Sequence, residues 1–129
     1  MSNLTKFLLA RIAEDEAVAR AAGEPPWDEW RYDDGGEVYH AESLRNDPDN
    51  RGYLNGVTCD SEGLSPSVTE EVGRHVSRHD PARVLAECAA KRHQLDEALV
   101  WGEGCLDVIA RYMAEVYAEH ADYREEWRP

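Results

Sequence analysis

Apolar residues at helical spacing open the chain. Leu4, Leu8 and Ile12 recur every four residues, which places them on one face of an α-helix. A Gly-Glu-Pro-Pro sequence at residues 23–26 marks the end of this pattern. We therefore predict a helix over residues 1–23, with the charged residues between the apolar ones facing solvent.

A strand-like pattern replaces the helical period over residues 24–63. Aromatic and β-branched residues lie on either side of an Asp-Asp-Gly-Gly sequence at residues 33–36, which is typical of a β-hairpin. A third strand is expected over residues 53–58. This region is predicted to be a small antiparallel β-meander of two to three strands, which must pack against helices because so small a sheet is not stable alone.

The helical period returns in residues 64–129. A Ser-Pro pair at residues 65–66 predicts an N-cap and first helical position, and the helix should end near His79 because the residue before Pro81 is disfavoured in the α region. Asp80 and Pro81 predict the N-cap and first residue of the next helix.

Two longer helices complete the predicted fold. The one that begins at Pro81 should run to about Val100, and a regular i, i+3, i+4, i+7 apolar series from Cys105 to Tyr117 predicts the other. We predict a single α+β domain over residues 1–129: an N-terminal helix, a small antiparallel sheet, then three helices. The two long helices should pack against each other and against the first helix.

Charge narrows the classes of function. The 129 residues carry a formal net charge of −13, so the surface repels the nucleic-acid backbone and direct nucleic-acid binding is not expected. Residues 24–63 hold eleven acidic residues against three Arg, about −8 of that total. No apolar run approaches the roughly 20 residues of a membrane span, and no signal-peptide pattern opens the sequence. The sequence therefore predicts a cytoplasmic protein with no membrane contact.

The two histidines at positions 75 and 79 are the candidate metal ligands. On a continuous helix both imidazoles would project from one face, and Cys59 or Cys88 could complete a site only through the fold. The alternative is that these histidines interact with carbonyl groups at the helix end.

Catalytic chemistry has weaker support in the pattern. Cys88 lies on the apolar stripe of its predicted helix, where cysteine behaves as a small hydrophobe, and Cys59 stands beside Asp60, which raises a thiol pKa. A small metal-dependent or hydrolytic enzyme using His75, His79 and either Cys59 or His120 stays an alternative. No glycine pattern matches a phosphate or dinucleotide loop, so no cofactor is predicted.

Aromatic residues are concentrated in the C-terminal segment. Tyr117, Tyr123 and Trp127 lie in the final thirteen residues together with His120, where chain ends are usually polar and frayed. Either Tyr123 and Trp127 dock back onto the core, or they form an exposed partner-binding motif.

Three segments resemble a family of short uncharacterised proteins from actinobacteria, their phages and prophages, known as a domain of unknown function. The segments are Phe7-Leu8 with Arg11-Ile12 and Glu14-Asp15-Glu16; residues 75–85 with Glu87 and Ala90-Lys91-Arg92; and Tyr117-Ala118 with His120 and residues 122–129. The resemblance implies no catalytic residue. Ala121 and the Glu115-Val116 pair depart from proline-containing steps of that family, so we expect the last helix to extend further in this chain.

These observations predict a non-enzymatic intracellular protein of phage or prophage type that binds another protein, with a homo-oligomer as a further possibility. The candidate site is where His79, Asp80 and Arg83, near His75, would meet Tyr123 and Trp127. The alternative non-enzymatic function is an acidic DNA mimic that inhibits a host nuclease or regulator, with the acids of residues 24–63 imitating phosphates.

Overall fold

The computed structural model describes residues 1–32, 36–46, 56–58 and 68–129. They form two compact units, one of Met1–Ala17 with Ala86–Pro129 and one of Val18–Leu85. The single-domain organisation stays a prediction.

The architecture is α+β, as predicted. Its elements in chain order are helix α1 (Asn3–Ala22), strands β1 (Trp30–Tyr32) and β2 (Val38–His40), and helices α2 (Ala41–Asn46), α3 (Glu70–Arg78), α4 (Pro81–Val100) and α5 (Glu103–Ala114), followed by 3₁₀ turns at Glu115–Tyr117 and Glu125–Trp127. The predicted N-terminal helix and the bounds of α4 are confirmed. None of the described helices is both long enough and apolar enough to cross a membrane.

The interior of the first unit is built from three helices. Leu8 and Ile12 of α1 are completely buried, as the apolar stripe predicts. Cys88 of α4 is buried with its Sγ 3.9 Å from the carbonyl oxygen of Ile12. In this unit the other buried residues of α4 and α5 are Leu95, Ala98, Ala110 and Ala114, which are mostly small.

The second unit contains the predicted hairpin. Strands β1 and β2 are antiparallel, with Trp30 opposite His40 and Tyr32 opposite Val38. Helix α3 lies against β1 at Gly73, where an added Cβ would come within 2.1 Å of the Tyr32 ring. Glycine is therefore required there by close approach of the aromatic side chain and not by its backbone conformation.

Asp80 joins strand β1 to the start of α4. Its carboxylate accepts the backbone N–H of Arg83 at 2.9 Å, which is the geometry of an N-cap, and the backbone N–H of Trp30 at 3.2 Å. Asp80 is only 7% exposed. The predicted cap is confirmed, and the bond to β1 adds a tertiary role that local sequence could not reveal.

Two predicted helix ends are wrong. Helix α3 is capped by Thr69, whose Oγ1 accepts the N–H of Val72 at 3.3 Å, and not by the Ser-Pro pair at 65–66, which lies outside the described residues. At the other end of the chain, the apolar series predicts a helix from Cys105 to Tyr117, whereas α5 ends at Ala114. The chain tightens there into a 3₁₀ turn, and Arg111 Nη1 donates to the Glu126 carbonyl oxygen at 2.7 Å, so the tail folds back instead of continuing the helix.

The region of the third strand is described only in part. Gly56 forms an isolated antiparallel bridge with Tyr39, and the N–H of Val57 donates to the Val38 carbonyl at 2.7 Å. Residues 53–55 lie outside the described residues. Helix α2, which follows β2 directly, was missing from the sequence prediction.

Candidate protein-binding groove

The turn between α4 and α5 presents large apolar side chains to solvent. Val100 is 79% exposed and Trp101 is 76% exposed. Gly102 makes the turn possible, because its φ of 115° lies in a region that residues with a Cβ rarely adopt. The Trp101 indole is held in place, since Nε1 donates to Glu97 Oε1 at 3.2 Å.

An apolar groove of about 490 Å³ lies beside this turn, between the two helices. Its residues are Gln94, Glu97 and Ala98 from α4, Trp101 from the turn, and Cys105, Ile109, Tyr112 and Met113 from α5. Tyr112 is 59% exposed. The groove is within the volume range of ligand sites, and exposed clusters of large apolar side chains mark interaction surfaces on soluble proteins.

Among the lining residues of the groove, Glu97 carries the one carboxylate. Asp96, Glu103 and Asp107 lie in the same stretch of chain but line a separate pocket, together with Leu9 and Leu99. Arg111 Nε lies 2.8 Å from Asp107 Oδ2 on the same helix. The charge at the groove therefore comes from Glu97 and from the overall net charge of −13, whose field favours a positively charged partner.

A second feature of this unit is a polar cluster around the buried Arg11. The guanidinium donates to Glu14 Oε1 at 2.7 Å, contacts the His120 ring and lies 5.2 Å from the centroid of Phe7. Tyr117 donates its hydroxyl to Asp15 at 2.6 Å. These contacts tie the segment after α5 to helix α1.

Burial raises the pKa of two side chains near this cluster, Tyr117 and Cys88. Burial of the Tyr117 phenol, together with its hydrogen bond to Asp15, raises its pKa well above the ordinary value. Burial also raises the pKa of the Cys88 thiol. A neutral, buried thiol is a poor nucleophile, which fits the prediction that Cys88 acts as a small hydrophobe. Cys105, on the groove, is exposed.

The C-terminal aromatic residues dock onto helix α1. The Trp127 ring lies 5.0 Å from that of Phe7 and 5.8 Å from that of Tyr123, and Trp127 is 6% exposed. Tyr123 lies 6.0 Å from Phe7. Docking onto the core is therefore confirmed, and the exposed-motif alternative for these two side chains is wrong, because Phe7 supplies a buried aromatic surface for them.

His75 lies in the last turn of α3, and His79 is the C-cap residue of that helix. Their ring centroids are 4.4 Å apart, and the Nδ1 of His79 is 2.8 Å from the carbonyl oxygen of His75. At His79 the structure therefore shows the predicted alternative, in which a histidine interacts with a carbonyl group at the helix end. Across residues 1–32, 36–46, 56–58 and 68–129, no group of three or more His, Cys, Asp or Glu side chains is placed to hold a metal ion. Cys59 lies outside the described residues.

The other predicted site residues belong to different units. His79, Asp80 and Arg83 are in the second unit, where Asp80 is engaged in capping. Tyr123 and Trp127 are in the first unit and contact each other. Of the eleven acids in residues 24–63, those at positions 33, 34, 47, 49, 60 and 62 lie outside the described residues, so the acidic-face hypothesis stays a prediction.

The family comparison covers the whole chain. A model described as a family of unknown function, DUF6221, matches residues 1–129. The chain belongs to this family. The predicted resemblance to a family of unknown function is therefore confirmed. No curated protein and no solved structure matches the chain.

The groove itself was not predicted from sequence, although one signal for it was present. Leu99, Val100 and Trp101 form three consecutive apolar residues directly before the turn. A single helical stripe cannot bury all three, because consecutive residues point in directions about 100° apart.

Proposed function

We propose that this chain is a non-enzymatic protein that binds another protein through the groove between α4 and α5. The observation that carries the proposal is the exposed apolar surface of Trp101 and Tyr112 beside the apolar wall of Ile109 and Met113. Large aromatic side chains are enriched among the residues that dominate binding energy in protein interfaces.

The partner is a different protein with a basic surface around the apolar side chains that enter the groove. Charge argues against a second copy of this chain as the main occupant. A symmetric dimer through the groove would bring together two chains of net charge −13, each with the carboxylate of Glu97 at the groove. Like charges across an interface cost affinity, whereas a basic partner gains both association rate and specificity.

Source and location form part of the same proposal. The resemblance of the His75-to-Leu85 segment and of the Asp-Tyr-Arg-Glu-Glu-Trp-Arg-Pro ending to actinobacterial and phage proteins supports a phage or prophage origin. A cytoplasmic location, where thiols such as those of Cys88 and Cys105 stay reduced, belongs to the same proposal.

Site-specific cross-linking tests this function. A photoreactive phenylalanine analogue is placed at Trp101 or Tyr112, with the exposed Glu119 of the same unit as the matched control. Irradiation in the source cell should attach a single partner at the two groove positions and not at the control position. The partner is then identified, purified and titrated against the chain.

The titration decides the outcome. Trp101→Ala should weaken binding of the purified partner about 30-fold, since a central tryptophan contributes about 2 kcal/mol or more. Glu119→Ala should leave it unchanged. Cross-links only to a second copy of this chain, or equal affinity of wild type and Trp101→Ala, would contradict the proposal.

A further inference from the structure

The pocket that Asp96, Glu103 and Asp107 line is bordered by helices α1, α4 and α5. Its volume is about 690 Å³, which is within the range of small-molecule sites. All of its lining residues belong to the first unit, and none of them also lines the groove. The pocket and the groove are therefore built from different side chains of the same helices.

Four leucines give the pocket an apolar surface. Leu95 and Leu99 are one turn apart on α4, Leu9 comes from α1 and Leu106 from α5. Leu95 is buried, Leu9 and Leu106 are half-buried, and Leu99 is 53% exposed. Part of this apolar surface is thus in contact with water, and a ligand with an apolar body gains free energy by covering it.

Three carboxylates line the same pocket, and two of them have no cationic partner there. Asp107 Oδ2 lies 2.8 Å from Arg111 Nε, so its charge is balanced within α5. Asp96 and Glu103 are exposed. In the part of the chain that the structure describes, neither of these two side chains forms an ion pair or a side-chain hydrogen bond.

Neighbouring cations do not remove this negative charge. Arg92, one turn before Asp96 on α4, donates to both carboxylate oxygens of Glu16, at 2.9 and 3.0 Å. An α-amino group at Met1 would add one positive charge to the lining, which would still hold an excess of negative charge from Asp96 and Glu103. The field in the pocket therefore favours a cation.

The two kinds of lining together restrict the ligand class. An anionic ligand would be repelled, and a neutral apolar ligand would take water from the carboxylates without giving them a partner, which costs free energy. Across the described residues, no group of three or more His, Cys, Asp or Glu side chains is placed to hold a metal ion, and a metal ion would make no use of the leucines. An organic cation with an apolar body satisfies both parts of the lining.

We propose that this pocket binds a small amphipathic amine. The apolar body of the amine covers Leu9, Leu99 and Leu106, and its ammonium group donates charge-assisted hydrogen bonds to the carboxylates of Asp96 and Glu103. This binding function is additional to the proposed binding of a protein at the groove.

Four small molecules test the proposal on the full-length chain. Phenylbutylamine, phenylbutanol and phenylbutyrate share one apolar body and carry a positive, a neutral and a negative head group, whereas putrescine carries positive charge without a phenyl group. Affinities are measured by isothermal titration calorimetry at low and at physiological salt. Methyl NMR spectra locate the bound molecule, and the signals of Leu9, Leu99 and Leu106 should shift with phenylbutylamine.

Phenylbutylamine should bind at least about tenfold more tightly than each of the other three molecules. Asp96→Asn and Glu103→Gln should each weaken its binding by about fivefold, and this effect should shrink at higher salt because exposed charges are screened. Glu119→Gln removes the same charge at an exposed position of the same unit outside the pocket, so it should change the affinity by less than about twofold. Circular dichroism melts check that each variant is folded.

Four results would overturn the proposal: equal affinity for phenylbutylamine and for phenylbutanol or phenylbutyrate, equally tight binding of putrescine, an unchanged affinity when Asp96→Asn and Glu103→Gln are combined, or no saturable binding of phenylbutylamine up to about 10 mM. None of these results would bear on the cross-linking at Trp101 and Tyr112, because the pocket and the groove share no residue.

Discussion

Two tryptophans of the first unit have opposite environments, and their replacement by alanine should separate folding from binding. Trp127 is 6% exposed and contacts Phe7 and Tyr123, with the Arg124 guanidinium 5.4 Å from its ring. Trp101 is 76% exposed. Alanine at a buried aromatic position costs about 3–5 kcal/mol, whereas exposed positions change stability by less than about 0.5 kcal/mol.

The expected loss for Trp127→Ala is about 3–4 kcal/mol. We take the lower part of the range because the segment lies near a chain end, where neighbours can partly close over the space. At an unfolding entropy of about 2.1 cal/mol/K per residue, 129 residues give about 0.27 kcal/mol per kelvin. The Tm should therefore fall by about 11–15 °C for Trp127→Ala and by less than about 2 °C for Trp101→Ala.

Thermal melts followed by circular dichroism, together with urea titrations, measure both variants against wild type. An unchanged urea m-value would show that the midpoint shift reports stability and not a change in the exposed surface. If Trp127→Ala loses less than about 1 kcal/mol, or if Trp101→Ala is destabilised as strongly, the docking of the tail does not stabilise the fold as argued.

Three further predictions concern other contacts. Gly73→Ala should destabilise the chain although alanine favours helices, because its Cβ would meet the Tyr32 ring. Gly104→Ala, with open space around the added Cβ, should be neutral or stabilising by up to about 1 kcal/mol. Urea unfolding of both variants and wild type compares the two effects. In the same assay Asp80→Ala should lower the free energy of unfolding by about 2–4 kcal/mol, because α4 loses its N-cap and the N–H of Trp30 loses its acceptor. Asp80→Asn should retain most of the cap. The pKa of the Tyr117 phenol is higher in the folded than in the unfolded chain. The contribution of this phenol to the free energy of unfolding is therefore complete below the unfolded-state pKa of about 10 and is lost as the pH rises through the higher folded-state pKa. Tyr117→Phe should therefore lose less stability than wild type above pH 10 in alkaline urea titrations.

Local patterns predicted the elements whose cause is local. The bounds of α4 follow from the Asp80-Pro81 start and from the glycines after Val100. The hairpin follows from the turn residues between two aromatic-rich segments. In both cases the residues that determine the helix end or the turn lie within a few positions of it in the sequence.

Features that depend on distant residues could not be predicted in this way. The end of α5 at Ala114 depends on how the following tail packs, and Arg111 reaches a carbonyl fifteen residues away. The groove required knowing which side of α4 faces α5, since the sequence gives Ala98 and Trp101 similar apolar character while the fold buries one and exposes the other.

The first unit is assembled from two separated pieces of chain, Met1–Ala17 and Ala86–Pro129, and this has a consequence for synthesis. At about 5–20 residues per second, a ribosome takes roughly 5–20 s to proceed from the first piece to Trp127. During that interval Phe7 lacks Tyr123 and Trp127, and Ile12 lacks Cys88. The nascent chain must therefore carry an apolar helix without its native contacts, so variants that weaken the docking of Trp127 should lower the yield of folded protein in cells more than their stability in vitro suggests.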